Sequence, residues 1–325
     1  MDKKFILITG SNGEIGKSLI NKLSNNTIIA LDLSHSNNTN SNIKKIKGSI
    51  LDNNILNEIN KKYRLSEIYH LAAILSTQAE KNPDFSNEVN YKGTINLLEL
   101  ARLQTIKYNN PIKFFFPSSI AVYNMLNRNL NKNINEEEKL KNPITEYGKA
   151  KLKCEKIGIK KYLKKGVDFR CIRFPGIISA NSTPAGGTSD YAPEMIHAAF
   201  LNKQYNCFVN NKTILPFIAM PDAILAIIKL MNISNQSIKS KIYNVTSFSP
   251  TVSELENKIK EFFPNFKLSY NIDSRRQKIA DSWPNFINDS LAKEEWGWSC
   301  SLNFNTFFID YLNPNLKEYY RIWTI

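Results

Sequence analysis

Cysteine is scarce in this chain. Only four occur in 325 residues, Cys154, Cys171, Cys207 and Cys300, and no two stand in Cys-x-x-Cys spacing. That disfavours a thiolate metal cage and leaves free thiols in a reducing compartment as the plain expectation. Histidine is scarcer still: His35, His70 and His197 lie far apart and form no His-x-x-x-His pair. With neither ligand pattern present, no metal is expected, and zinc-dependent alcohol oxidation is disfavoured. Long apolar runs are missing as well. Nothing approaches the roughly 18 consecutive apolar residues of a membrane span, so no membrane partner is expected. The first strand-like run begins at Phe5, which leaves no room for a leader. The expectation is a soluble cytoplasmic protein, or a mitochondrial one from which a leader has been removed. Internal repeats and low-complexity linkers are absent too.

Basic residues are plentiful, 43 Lys and Arg against 29 Asp and Glu, for a net charge of +14. Such an excess can mark a nucleic-acid or acidic-membrane partner. Here the lysines spread along the whole chain with abundant Asn and Ile, so no nucleic acid is expected. Hydrophobic residues make up 42% of the chain, enough to bury a core, and the length suits one large or two modest domains.

Phe5 to Thr9 is a continuous apolar run of the kind buried on both faces of a parallel sheet. Gly10-Ser-Asn-Gly13-Glu-Ile-Gly16 follows directly, and then an amphipathic segment from Lys17 to Leu23. Strand, glycine turn and helix are the context a dinucleotide phosphate site requires. Gly10 permits the tight turn, Gly13 lets backbone N–H groups approach a pyrophosphate, and Gly16 lets helix and strand pack closely. The helix N-terminus supplies partial positive charge. The next run, Thr27 to Leu31, leads into Asp32, about 20 residues beyond the first glycine, where an acid accepts from a ribose 2′-hydroxyl. Its charge would repel a 2′-phosphate, so NAD is expected over NADP.

Leu65 to Ala73 reads as another buried strand, with small residues at its end that suit close approach to a cofactor. Val89 to Ala101 reads as a helix whose Val89, Gly93, Leu97, Leu98 and Ala101 form a stripe, packed on the sheet or on a partner subunit. Ile112 to Phe116 is the next strand, followed by Pro117, Ser118 and Ser119; hydroxyls at a strand's carboxyl end face the ligand crevice of open α/β sheets. Asn124 to Lys141 is polar and reads as a loop, and Val167 to Phe174 as a further strand. The alternation argues for an α/β, Rossmann-type doubly wound parallel sheet over residues 1–177, with a smaller substrate lobe over 178–325. Some elements of that lobe, such as Ile242 to Val245, are candidates to return to the main sheet.

Thr-Glu-Tyr147-Gly-Lys-Ala-Lys151 is the stretch on which function turns. Residues four apart share one helix face. A lysine ammonium beside a phenol favours the phenolate and draws its pKa below the usual value near about 10. A phenolate near neutral pH takes a proton from an alcohol.

Gly10-x-x-Gly13-x-x-Gly16, a serine after a strand at Ser119, and Tyr147-x-x-x-Lys151 together resemble the extended short-chain dehydrogenase/reductase family. Within it, several segments resemble the short-chain type of L-threonine 3-dehydrogenase. They include His70-Leu-Ala-Ala-Ile-Leu-Ser-Thr, Glu80-Lys-Asn-Pro, Arg173-Phe-Pro-Gly-Ile-Ile-Ser and Gly186-Gly-Thr-Ser-Asp-Tyr191. Arg276-Gln-x-Ile-Ala-Asp-Ser-Trp-Pro284 and Trp296-Gly-Trp298 belong to the same set. The resemblance implies a catalytic set of Ser119, Tyr147 and Lys151. It implies NAD contacts from Asn12, Glu14, Ile15, Leu33, Ser49, Ile50, Leu71, Ala72, Ala73, Asn90 and Ile177, besides the three glycines and Asp32. Relatives usually carry Asp where this chain has Ser49. It implies L-threonine as substrate, held by Ser76, Ser119, Tyr147, Thr188 and Trp283, with Asp190 and Arg276 as weaker candidates. The product would be 2-amino-3-ketobutyrate, and a homodimer would form through helices near 85–105 and 145–165. A nucleotide-sugar epimerase or dehydratase on the same scaffold is the alternative, since it shares the Ser-Tyr-Lys set; a non-catalytic NAD-sensing protein is a second.

Overall fold

The first apolar run forms β1, Lys4–Thr9, and the glycine segment turns the chain into α1, Glu14–Lys22. The computed structural model describes residues 3–35, 41–126, 133–136, 140–184 and 186–322. Ala185 of the glycine-rich loop, and parts of the 124–141 stretch, lie outside the described residues. β2, Ile28–Asp32, and β3, Ile43–Lys47, come next. The lysines of β3 face solvent, as suits an edge strand. α2, Asn53–Lys62, is capped by Asp52, whose carboxylate accepts from the N–H groups of Asn54 and Ile55. β4, Arg64–His70, is followed by α3, Ser76–Lys81, and α4, Pro83–Asn87. One π-helical turn, Glu88–Lys92, carries the chain into α5, Gly93–Tyr108.

β5, Lys113–Ser119, runs longer than the apolar pattern suggested and takes in Pro117, Ser118 and Ser119. Pairing with β4 ends at Phe115, so the proline's missing N–H interrupts no bond on that side, while Pro117, Ser118 and Ser119 stay in register with the next strand. The polar stretch after it contains a short strand, β6, Asn133–Ile134, where a loop was expected. α6, Glu146–Ile157, carries Tyr147 and Lys151. β7, Asp168–Phe174, and β8, Gly176–Ile178, close the first half.

The later half supplies α7, Tyr191–Phe200; β9, Tyr205–Cys207; β10, Phe217–Ala219; α8, Met220–Asn232; and β11, Ile242–Asn244. Then come α9, Val252–Phe262; β12, Leu268–Tyr270; α10, Ser274–Asp281; β13, Phe286–Ile287; and α11, Ser290–Trp296. α9 opens with a reciprocal capping box between Thr251 and Glu254.

Seven strands form one sheet in the order β3-β2-β1-β4-β5-β7-β11, and each neighbouring pair is parallel. This is a doubly wound Rossmann-type sheet. Its order reverses between β1 and β4, the place where such sheets bind ligands. One apolar cluster lies on each side of the sheet. Leu97, Leu98 and Ala101 of α5 pack with Leu7, Ile68 and Phe114, so this stripe is used within the protomer. Among the described residues no helix is long and apolar enough to cross a membrane.

Candidate active site

The glycine turn sits at the reversal point. Gly10 takes φ +65, and a Cβ there would stand 2.6 Å from the backbone N of Ala72, two residues past the end of β4. A Cβ on Gly16 would stand 2.3 Å from the Gly10 carbonyl oxygen. α1 begins after Gly13 with no side-chain cap, so its first N–H groups are offered outward. The Ser11 hydroxyl in this turn is buried and has no protein partner. Asp32 accepts from Asn12 N at 2.8 Å and from Ser34 N at 3.3 Å, which ties the acid to the turn. Leu33 beside it is exposed, Ser49 accepts from Leu51 N at 3.1 Å, and Ile50 is buried. Close backbone approach, outward N–H groups and a partnerless buried hydroxyl fit a dinucleotide diphosphate.

A cavity opens beside this turn. Of the residues expected at the site, Glu14, Ile15, Leu71, Ala73, Ser76, Ser119, Tyr147, Lys151, Ile177, Thr188 and Trp283 line it. Ala72 lies against Gly10 instead. The Asn90 amide is spent on the protein: it accepts from Ile74 N at 2.7 Å and donates to Ile74 O at 2.9 Å and Ser86 Oγ at 3.0 Å. It thereby holds the turn that leads to Ser76.

Lys151 Nζ donates to the Pro117 carbonyl at 2.6 Å and stands 4.7 Å from the Phe116 ring centroid and 5.5 Å from that of Tyr147. Burial lowers its pKa to about 8, with Cys154, Cys171 and Glu155 acting the other way. Burial also raises the Tyr147 phenol to about 12. The lysine was expected to draw the phenol down; the shift runs the other way, and its cause is the loss of water on burial. Ser119 ends β5 and accepts from Ala121 N at 3.2 Å. Ser118 points elsewhere and donates to Glu155 at 2.6 Å.

Across the cavity, the Ser76 and Thr188 hydroxyls are 3.5 Å apart, and Thr188 N donates to Ser76 Oγ at 3.3 Å. Asp190 accepts from Gly186 N at 2.8 Å and Gly187 N at 2.6 Å, while Arg276 donates to the Gly187 carbonyl at 2.8 Å. The Arg276 guanidinium lies 3.1 Å from the Phe208 ring centroid. The Trp283 indole N–H is buried without a protein partner.

The family model described as the NAD dependent epimerase/dehydratase family matches residues 6–246. The chain belongs to this family. A mitochondrial L-threonine 3-dehydrogenase from Sus scrofa is 33% identical over 90% of this chain and 78% of its own length. An uncharacterised epimerase/dehydratase from Staphylococcus saprophyticus is 36% identical over 91% of this chain and 92% of its own. The solved apo form of a monomeric L-threonine 3-dehydrogenase from a metagenome superposes with a TM-score of 0.87 at 38% identity, over 97% of this chain and 99% of that one.

Behind the cavity of this epimerase/dehydratase-family protein runs a buried polar network to which sequence reasoning assigned no role. Arg173 on β7 and Glu155 on α6 are 0% and 1% exposed and pair through two bonds of 2.8 and 2.7 Å. Arg173 also donates to the Tyr123 hydroxyl at 2.8 Å, which donates on to Asn244 of β11 at 2.9 Å. Glu155 stands one turn beyond Lys151, and Ser118 one residue before Ser119, so the network ties β5, α6 and β7 where they carry the site. The available signal was a pair of arginines, Arg170 and Arg173, inside a strand otherwise flanked by apolar residues, each of which must find a partner when buried.

Proposed function

We propose that this chain oxidises L-threonine to 2-amino-3-ketobutyrate with NAD. One observation carries the reading: a single cavity joins the glycine turn, the Tyr147–Lys151 helix face and a facing pair of hydroxyls, Ser76 and Thr188. The L-threonine 3-dehydrogenases among its relatives support it.

NAD would supply the hydride acceptor when bound. The turn Gly10, Asn12, Gly13, Glu14, Ile15 and Gly16 would hold its diphosphate, and Asp32 would accept from its ribose. Ser119 donates to the substrate's side-chain oxygen and orients it. Tyr147 takes the hydroxyl proton while the carbon's hydrogen leaves with its electron pair, so a ketone remains. Lys151 keeps the phenolate near its own charge and is held in place by the Pro117 carbonyl. Ser76, Thr188 and the free indole N–H of Trp283 take the amino-acid head. Fixing both reactants in one geometry removes an entropic barrier of up to roughly 7–11 kcal/mol.

The test is NADH formation with L-threonine against other hydroxy-amino acids and UDP-sugars. Tyr147→Phe is expected to lower kcat by roughly 10²–10⁴-fold, the range of general acid–base catalysis. NADH formation at the wild-type rate in this variant removes Tyr147 as the base, and turnover of UDP-sugars alone removes L-threonine.

A further inference from the structure

We infer that Glu80 is a positioning residue that fixes the distance between Ser76 and Tyr147 across the pocket. The inference rests on the threonine reading only for its kinetic arm.

Ser76 and Glu80 are four residues apart on α3 and so project on the same side of it. Ser76 is buried and reaches Thr188 on the substrate side. Glu80 reaches α6. Its Oε1 accepts the backbone N–H of Glu146 at 2.6 Å. Glu146 is the first residue of α6 and precedes Tyr147 directly. The helix's own cap is Thr145, which serves Gly148 N, so Glu80 serves a donor that Thr145 leaves free. A carboxylate at a helix N-terminus also meets the favourable end of the helix dipole. The Glu80 side chain is 17% exposed, which limits the competition from water.

Two bonds of one short helix thus join the hydroxyl that faces the amino-acid head to the helix that carries the base. A third element approaches the same residue: Arg275 of α10 stands 3.8 Å from the Glu80 carboxylate and donates to its carbonyl at 3.4 Å. Its neighbour Arg276 holds the Gly187 carbonyl, next to Thr188. Glu80 is not among the residues that line the cavity, so its effect passes through the placement of α6 against α3.

The experiment compares Glu80→Ala and Glu80→Gln in the full-length chain by amide hydrogen exchange and by steady-state kinetics. Gln keeps an oxygen that accepts the Glu146 N–H, and Ala does not. In Glu80→Ala, exchange over 146–149 is expected to rise and kcat with L-threonine to fall by about tenfold or more, because small misplacements near the reacting atoms are costly. The KM for NAD is expected to stay within about twofold, since the glycine turn lies elsewhere. Glu80→Gln is expected to recover most of both readouts. Unchanged exchange over 146–149 in Glu80→Ala overturns the inference. So does an NAD KM that worsens in step with kcat, which marks general loss of structure, or a Gln variant as impaired as Ala. If the wild-type chain forms no NADH from L-threonine, the threonine reading falls, and the exchange comparison still decides the role of Glu80.

Discussion

His70 is buried and engaged at both ring nitrogens. Thr94 Oγ1 donates its one proton to the Asn90 carbonyl at 2.7 Å, so toward His70 Nε2, 2.8 Å away, it accepts. Nε2 therefore carries the proton, and Nδ1 accepts from Thr9 Oγ1 at 3.0 Å. Burial, with Lys151 adding to it, lowers the His70 pKa to about 3. The unfolded chain protonates this ring near pH 6.5 and the folded chain does not, so stability is lost as pH falls from about 6.5 toward 3. One such proton contributes about 1.4 kcal/mol per pH unit across that window. Denaturant unfolding at pH 7, 5.5 and 4.5 is expected to show a slope shallower by about that amount in His70→Gln. Equal slopes in both proteins sink the assignment. The same scale explains what the sequence could tell of Tyr147 and Lys151. Their spacing placed them on one helix face. The direction of the phenol's shift was not legible, because its burial depends on an apolar cluster assembled from residues distant in the chain.

The glycine turn was legible because each glycine answers a local demand: a left-handed φ at Gly10 and close backbone approach at Gly16. Gly16→Ala puts a Cβ 2.3 Å from the Gly10 oxygen and 2.8 Å from Ser11 Cα, and backbone atoms have little room to yield. Overpacking of this kind costs roughly 1–3 kcal/mol. The strain falls on the turn that would hold the diphosphate, so NAD affinity, measured by calorimetry, is expected to fall by about tenfold or more. Gly13→Ala, with 3.2 Å to the same oxygen, is expected to do less. Equal affinities in Gly16→Ala and wild type contradict this account of the turn. Other elements were illegible for physical reasons. β6 pairs with β13 over two residues each, in parallel, across more than half the chain's later length. No periodicity exists in two residues. The strand was ended at Phe116, with Ser118 and Ser119 just past it, because the apolar run stops there, yet pairing with β7 extends the strand to Ser119.

At the scale of the whole molecule, the boundary proposed at residue 177 does not divide the folding of the main sheet. β11 pairs with β7 through Ile242, Tyr243 and Asn244, so the main sheet is completed by the later half. Arg170 of β7 is fully buried, pairs with Asp168 at 2.6 Å, and donates to the carbonyls of Leu230 at 2.5 Å and Ile233 at 2.8 Å at the end of α8. Phe115, Ile172 and Phe174 share one apolar cluster with Ala223, Ile227 and Leu230 of α8. A chain ending at residue 177 loses the pairing strand of β7, the carbonyl partners of Arg170 and the cover over these rings. Each large apolar side chain returned to water costs roughly 1.5–3 kcal/mol, and several together exceed the roughly 5–15 kcal/mol by which a domain is stable. The fragment 1–177 is therefore expected to melt without a sharp transition, to bind a hydrophobic dye, and to show no NAD affinity by calorimetry. The full chain is expected to unfold in one transition that NAD shifts upward. A soluble fragment with a sharp melting curve and wild-type NAD affinity contradicts this, and would mean that the first six strands of the sheet close their own core.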